Sequence, residues 1–300
     1  MPTTMANGQL ALTLLPELGG CIARLQAYSD GRWIDLLRPT PCNTTSPGQT
    51  SSFLMLPWAN RIAHGRFTFD GQTYQLHTTP DDGTARHGDV RGRPWQVARA
   101  DAFVHSLTFD SRQHEGVNWP FAFSAQQTFT LNNNQISVHT TLTNLDTRPM
   151  PGGFGHHPYF VRPADPAAFS LKISASGYFP LTEALLPIGE VRPVPPELDF
   201  RQSRPVLGDH YDHLLTQLDH TQPVEIIYHQ LGLRVLLTME PAYRHILIYT
   251  PPGEPSIAIE PMTMATNAHN LTLDAAVTGL WVIPPGESRE ATFTLTVERL

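Results

Sequence analysis

The sequence predicts an all-β protein, a large antiparallel β-sandwich or barrel-like structure with a concave face able to hold a ligand. Three observations point there. Apolar residues recur with period two along the chain. Proline at 28 and glycine at 21 in 300 residues mark frequent turns and leave little room for long helices. Helical periodicity is weak throughout, with one short turn or helix expected near 271–278.

Taken in order, Leu10, Leu12 and Leu14 alternate with small or polar residues and open the first strand. Phe67 and Phe69 lead into Asp70-Gly71, and Tyr74 and Leu76 return. Asp-Gly is a hairpin signal because both central residues tolerate φ > 0. Phe103, Leu107 and Phe109 alternate with polar residues, and so do Phe121, Phe123 and Phe129. Phe129 and Leu131 precede Asn132-Asn133-Asn134, after which Ile136 and Val138 resume, which predicts a second hairpin. Further strands are expected at 171–175, 224–228, 233–238, 245–250, 256–260 and 291–298. In the last, Phe293, Leu295 and Val297 alternate with Thr292, Thr294 and Thr296. The segment Pro187 to Pro205 reads as a long loop. With no repeat and no low-complexity linker, residues 1–300 are expected to form one domain, somewhat longer than the ~250 residues common for large sandwiches.

Composition narrows the function. Hydrophobic residues make up 40% and charged residues 16%, against a disordered chain. The net charge is −7, and the only lysine is Lys172, so nucleic acid is not an expected partner. Cys21 and Cys42 are too few for a disulfide framework or a cysteine-based zinc site, and both read as small core residues. No apolar run approaches the ~20 residues of a membrane span, and Thr13 interrupts the apolar residues near the N-terminus. The expected location is the cytoplasm, with no membrane partner.

Five places carry side chains suited to chemistry. They are Trp58 with Asn60-Arg61, Arg86-His87-Gly88-Asp89, Gly155-His156-His157-Pro158-Tyr159-Phe160, Asp212-His213, and Glu260 directly after Ile257-Ala258-Ile259. The first reads alone as a surface turn, the second as a loop histidine, and the fourth as a cap. The histidine pair beside aromatics and the carboxylate closing an apolar strand are harder to dismiss, since a buried carboxylate is costly unless paired or used. Among 14 histidines there is no His-x-His pair and no His-Glu-x-x-His helix, so no metal is expected. No Gly-x-Ser-x-Gly nucleophile turn and no phosphate-cradling glycine loop occur. What remains suits a neutral polyhydroxylated ligand. Arginine and carboxylate bind hydroxyls directionally, aromatic faces cover the C–H face of a sugar, and Glu with His forms an acid–base pair near neutral pH.

These residues, in this order, resemble the aldose 1-epimerase (galactose mutarotase) family: Asn60-Arg61, His87-Gly88, His157-Pro158-Tyr159-Phe160, Asp212-His213, Glu260-Pro261 and Pro285-Gly286-Glu287. The hairpin from Gly65 to Leu76 matches as well, and the likeness runs from the first strand to the last. The resemblance implies a galactose mutarotase-like supersandwich with the sugar in its concave face. It implies interconversion of the α and β anomers of a free aldohexose, with Glu260 as general base, His157 as general acid and His87 hydrogen-bonded near the ring oxygen. Arg61 and Asp212 would hold sugar hydroxyls, with Asn60, Trp58 and Tyr159 lining the site. No cofactor is implied. The residue before the acid is commonly Asn in the family and is His156 here, so the acid is His157 or His156, with Pro-Tyr-Phe favouring His157. Two alternatives stand beside this reading. One is a hexose-phosphate 1-epimerase of the same fold, with Arg91, Arg93 and Arg162 as phosphate candidates. The other is a carbohydrate-binding protein without turnover. The sequence is compatible with a monomer or a homodimer.

Overall fold

The computed structural model describes residues 1–208 and 210–300. It is built almost wholly of antiparallel strands. Three sheets dominate. The strands Thr3–Ala6, Leu10–Leu15, Cys21–Ser29 and Arg32–Asp35 form an N-terminal meander. A broad outer sheet is centred on Phe123–Asn132, Gln135–Asn144, Ser288–Arg299 and Leu233–Met239. An inner sheet runs through Ala175–Phe179, Asp212–Leu218, His245–Tyr249 and Ser256–Met262 to Gly155–His156 and Leu54–Met55.

The hydrophobic pattern explains the layering. In the outer sheet Phe123, Ala125, Phe129 and Leu131 are buried, while Ser124, Gln126, Thr128 and Thr130 between them are more exposed. That alternation is expected of a sheet wet on one face. Ser256–Met262 is instead buried at every position, so this strand lies covered on both faces. One connected apolar core runs from Met5 to Val297 and joins the sheets.

Turn chemistry sets the hairpins. Asp70 and Gly71 both take positive φ and join Arg66–Phe69 to Gln72–Gln75. Asn132 pairs with Gln135, which leaves Asn133 and Asn134 as a two-residue turn. The two proline-bearing strands of the Pro187 to Pro205 segment, Arg192–Pro193 and Arg204–Pro205, sit at the outer edges of the inner and outer sheets. An edge is where the missing proline N–H costs no ladder bond, and it also blunts edge-to-edge pairing.

Three expectations need correction. The strand placed at 171–175 is two strands in different sheets. Phe169–Lys172 pairs with Val224–Tyr228, and Ala175–Phe179 pairs with Asp212–Leu218. The chain crosses layers at Ile173, whose N–H donates to the Phe200 carbonyl. Phe103 precedes its strand and is exposed. The short turn or helix expected near 271–278 is present as a single turn, Ala275–Thr278, capped by Asp274. Cys21 is buried, but Cys42 lies in an exposed loop where no strand carries it inward.

Candidate active site

A cavity of about 560 Å³ opens on the inner sheet. Strand register decides what faces it. Asp212 pairs with Tyr249, and Leu214 pairs with Leu247, which in turn pairs with Glu260. Side chains opposite one another, or two apart, share a face. Asp212, Leu247, Tyr249 and Glu260 therefore line the cavity, while Ile246, Ile248 and Ile259 turn into the core. His213 falls on the face away from Asp212 by the same alternation.

His157 reaches Glu260 by the same logic. Gly155 pairs with Met262 and Tyr159 with Ala258 on the one strand. His157 is then opposite Glu260, and its Nε2 lies 3.0 Å from Oε1. The Glu260 Oε2 atom is buried and has no protein partner among the described residues. Both side chains line the cavity.

Burial sets the protonation of this pair. An isolated buried ion costs several kcal/mol, more than the ~1.5–3 kcal/mol a charged hydrogen bond returns. Desolvation accordingly raises the Glu260 carboxyl well above its ordinary range; the Asp212 charge adds to this and Arg61 opposes it. Desolvation lowers His157 well below the usual imidazole value, helped by the charges of Arg38, Arg91 and Arg61. Both shifts disfavour two separate charges and favour a single proton shared along the 3.0 Å contact.

The imidazole is clamped by rings. Tyr159 stacks on His157 at 4.5 Å between centroids, and the Arg38 guanidinium lies 3.5 Å from the centroid of the Tyr159 ring. Arg38 is itself fixed by Glu254 and by the carbonyls of Thr50 and Gly48. Phe53 packs against His157 at 4.6 Å, and the His157 N–H donates to the Phe53 carbonyl.

His87 stands edge-on to His157, with centroids 5.4 Å apart. It holds a left-handed backbone at φ 64°, as does Asn60 at φ 53°. Non-glycine residues accept that region only where their surroundings impose it. Here the His87 N–H donates to the Asn60 carbonyl at 2.6 Å, and Arg61 pairs with Arg86 beside it. Gly88 permits the packing, since a Cβ there would stand 2.2 Å from the Leu56 carbonyl oxygen. Burial keeps His87 uncharged, reinforced by Arg91 and His157. Arg61 donates to Asn60 Oδ1 at 3.0 Å and pairs with Asp82 at 3.3 Å.

The cavity thus brings together Asn60, Arg61, His87, His157, Tyr159, Asp212 and Glu260. Trp58 does not reach it. Its ring is buried, stacks on Trp119 at 5.3 Å and donates to the Ala85 carbonyl, so it supports the Asn60-Arg61 turn from behind. His156 also points elsewhere: its Nε2 lies 2.9 Å from Thr140 Oγ1 in the core. Burial lowers it to about 3. Of the phosphate candidates, Arg91 lines the cavity, whereas Arg93 binds Asp89 and the carbonyls of Glu115 and Gly116, and Arg162 donates to the Gly208 carbonyl. Arg86, from the Arg86-His87-Gly88-Asp89 place, lines it too, as do Phe53 and Tyr249, which the sequence did not single out. Nothing in their sequence context marks the two aromatics as different from core residues.

The family model described as aldose 1-epimerase matches residues 2–296. An uncharacterized Escherichia coli protein, YphB, is 28% identical over 99% of both chains. The galactose mutarotase of Sus scrofa is 28% identical over 54% of this chain and 48% of its own. The crystal structure of a putative aldose 1-epimerase from Escherichia coli superimposes with a TM-score of 0.87 at 26% identity, covering 100% of this chain and 99% of the other. A galactose mutarotase-like protein from Clostridium acetobutylicum shares the fold at a TM-score of 0.89 and 21% identity, covering 99% of this chain and 95% of the other.

Proposed function

This chain belongs to the aldose 1-epimerase family, and from that premise we propose that it interconverts the α and β anomers of an aldohexose by acid–base ring opening. The observation that carries the reading is the 3.0 Å contact between His157 Nε2 and Glu260 Oε1 inside a sugar-sized cavity. Ring opening takes one proton from the anomeric hydroxyl and gives one to the ring oxygen. Both oxygens are bonded to C1, so an acceptor and a donor only 3 Å apart suit them.

Glu260 takes the anomeric proton through Oε2, the oxygen free of protein partners. The proton already shared by the pair passes to Nε2, and His157 delivers it to the ring oxygen. The C1–O5 bond breaks as the C1–O1 bond becomes a carbonyl. Rotation about C1–C2 and reclosure, with the roles exchanged, give the other anomer. The pair begins and ends with one proton, so no exchange with solvent is needed. Asp212, Arg61 and Asn60 orient hydroxyls, His87 contacts the ring-oxygen side, and Tyr159 offers an apolar surface. General acid–base help of this kind contributes ~10²–10⁴-fold, and positioning adds to it.

Polarimetry of freshly dissolved α-D-glucose and α-D-galactose tests the proposal. The wild type is expected to hasten anomeric equilibrium, and Glu260→Gln to lose at least about 10²-fold of that rate. A Glu260→Gln protein as active as the wild type excludes this mechanism.

A further inference from the structure

His87 meets a sulfur atom. Its Nδ1 lies 3.0 Å from the Met55 Sδ, and among the described residues its Nε2 has no protein partner. The imidazole lines the cavity, whereas Met55 is fully buried on the strand Leu54–Met55. A thioether sulfur accepts hydrogen bonds and has no hydrogen to give. Burial, joined by the charges of Arg91, His157, Arg61 and Arg86, keeps the ring neutral. A neutral imidazole carries one N–H, on one nitrogen or the other. With that N–H on Nδ1 the sulfur has a donor. With it on Nε2, two lone pairs face one another across 3.0 Å in a site where the sulfur has no access to water.

The backbone fixes both partners. Met55 pairs with Gly155, and a Cβ on that glycine would stand 3.0 Å from the Met55 Cε, so the glycine leaves room for the thioether methyl. The N–H groups of Asp89 and Val90 both donate to the carbonyl of Leu56, the residue after Met55. Beyond them the turn Val90–Gly92 packs on Gly19, which has φ +66°. A Cβ on Gly19 would stand 1.9 Å from the Arg91 carbonyl oxygen, so this approach of two backbones requires glycine. The loop that carries His87 is thus tied to the strand that carries the sulfur. The rings of Phe53 and His157 stand edge-on at 5.6 Å and 5.4 Å and confine the imidazole from the sides.

We propose that Met55 fixes His87 as the Nδ1–H tautomer, so that Nε2 turns a lone pair to the cavity and accepts a hydrogen bond from the substrate. The proposal rests on the anomer-exchange reading and assigns the direction of one of its hydrogen bonds. The ring oxygen of a closed aldose has no hydrogen, so it is not the partner of His87. The partner is a hydroxyl on that side of the sugar. The ring oxygen becomes a donor only once His157 has protonated it. The Nε2 lone pair then has a donor that the open chain offers and the closed ring lacks, which favours ring opening. Met55 is a positioning residue: it lies outside the cavity and acts through the imidazole.

The test is long-range proton–nitrogen NMR of the protein labelled with nitrogen-15 histidine, at neutral pH, with His87→Asn to assign the signals. The wild type is expected to show the proton on Nδ1 and a bare Nε2. Met55→Leu, close in volume to the original, is expected to shift the population toward Nε2–H while its circular dichroism stays unchanged. Its kcat/KM for anomer exchange is expected to fall about two- to tenfold, the worth of one neutral hydrogen bond. Titration with D-glucose and D-galactose is expected to move the Nε2 signal into the hydrogen-bonded range while the proton stays on Nδ1. A wild-type proton on Nε2 overturns the proposal, and so does Met55→Leu with an unchanged tautomer, whatever its rate. An Nε2 signal that neither sugar moves overturns the hydroxyl contact, and a shifted tautomer at unchanged kcat/KM overturns its part in the reaction. The spectra need no turnover. An Nδ1–H ring whose Nε2 responds to sugar, in a protein that exchanges no anomers, upholds the tautomer and its contact and removes the ring-opening reading alone.

Discussion

His157 stands opposite Glu260 on the adjacent strand, its Nε2 3.0 Å from Oε1, because Gly155 pairs with Met262 and Tyr159 with Ala258. Two residues about a hundred positions apart are neighbours through ladder geometry alone. The contact is as well determined as the sheet that produces it.

The two adjacent histidines separate cleanly by experiment. His157→Asn is expected to lose at least about 10²-fold in kcat for anomer exchange while keeping its urea midpoint close to wild type. His156→Ala removes a side chain buried against Thr140 and strands that hydroxyl, so it is expected to lose about 1–3 kcal/mol of stability in urea titration. Its kcat stays within a few-fold. The reverse pattern would make His156 the acid.

The pH profile follows from the pair. The active form holds one proton. A second proton must go to His157, which burial and then the neighbouring arginines hold well below 6.5. The last proton leaves from Glu260, which burial holds well above 4.5. Lowering the pH through 6.5 therefore leaves kcat/KM unchanged, and the acid limb appears only further down. Buffer-corrected rates from pH 4.5 to 9 check this; an acid limb centred at 6.5 or above contradicts it.

Arg38 is a positioning residue, acting on His157 through the Tyr159 ring and through its charge. Arg38→Leu removes a cation that opposes imidazole protonation. The acid limb is expected to move to higher pH, toward the unperturbed imidazole value. A loss of kcat with no shift of the limb would reduce Arg38 to a structural part.

Trp58→Phe separates support from contact. Trp58 is buried beneath the Asn60-Arg61 turn and stacked on Trp119. The smaller ring leaves a void and strands the Ala85 carbonyl, for an expected loss of about 1–3 kcal/mol in denaturant titration. The KM for sugar changes less than threefold. A tenfold rise in KM at unchanged stability would return Trp58 to the sugar.

Much of this was legible in the chain, for identifiable reasons. Asp70-Gly71 and Asn133-Asn134 form the expected turns because their backbone demands are local. Asp30-Gly31 carries the same signal between Cys21–Ser29 and Arg32–Asp35 and was overlooked. Glu260 and the His156-His157 pair stand out because polar chemistry next to apolar strands is conspicuous, whereas Asp212 reads alone as a cap and enters the site only through the family resemblance. Trp58 misled because an aromatic beside Asn-Arg resembles a sugar platform, and only packing shows that it faces the core. Phe53 and Tyr249 were invisible for the converse reason. The split at Ile173 depends on which sheet each half joins, which alternation within one strand does not encode. Asn267 was equally hidden: its N–H donates to the Arg61 carbonyl and its Oδ1 accepts from Ala63, so it buttresses the arginine turn from some two hundred residues away.

The Arg91 turn and the His157–Glu260 pair sit on different parts of the molecule. Glu260 belongs to a strand covered on both faces, and His157 to the segment between Gly155–His156 and Tyr159–Val161 beside it, where almost any exchange disturbs packing. The Arg91 side chain leaves a loop whose backbone is locked by Gly19 and Gly88 but whose tip meets only the cavity. Replacing Arg91 removes a charge that helps hold His157 and His87 neutral, so a change at this one loop position retunes the proton-handling groups while the strands that carry them stay as they are.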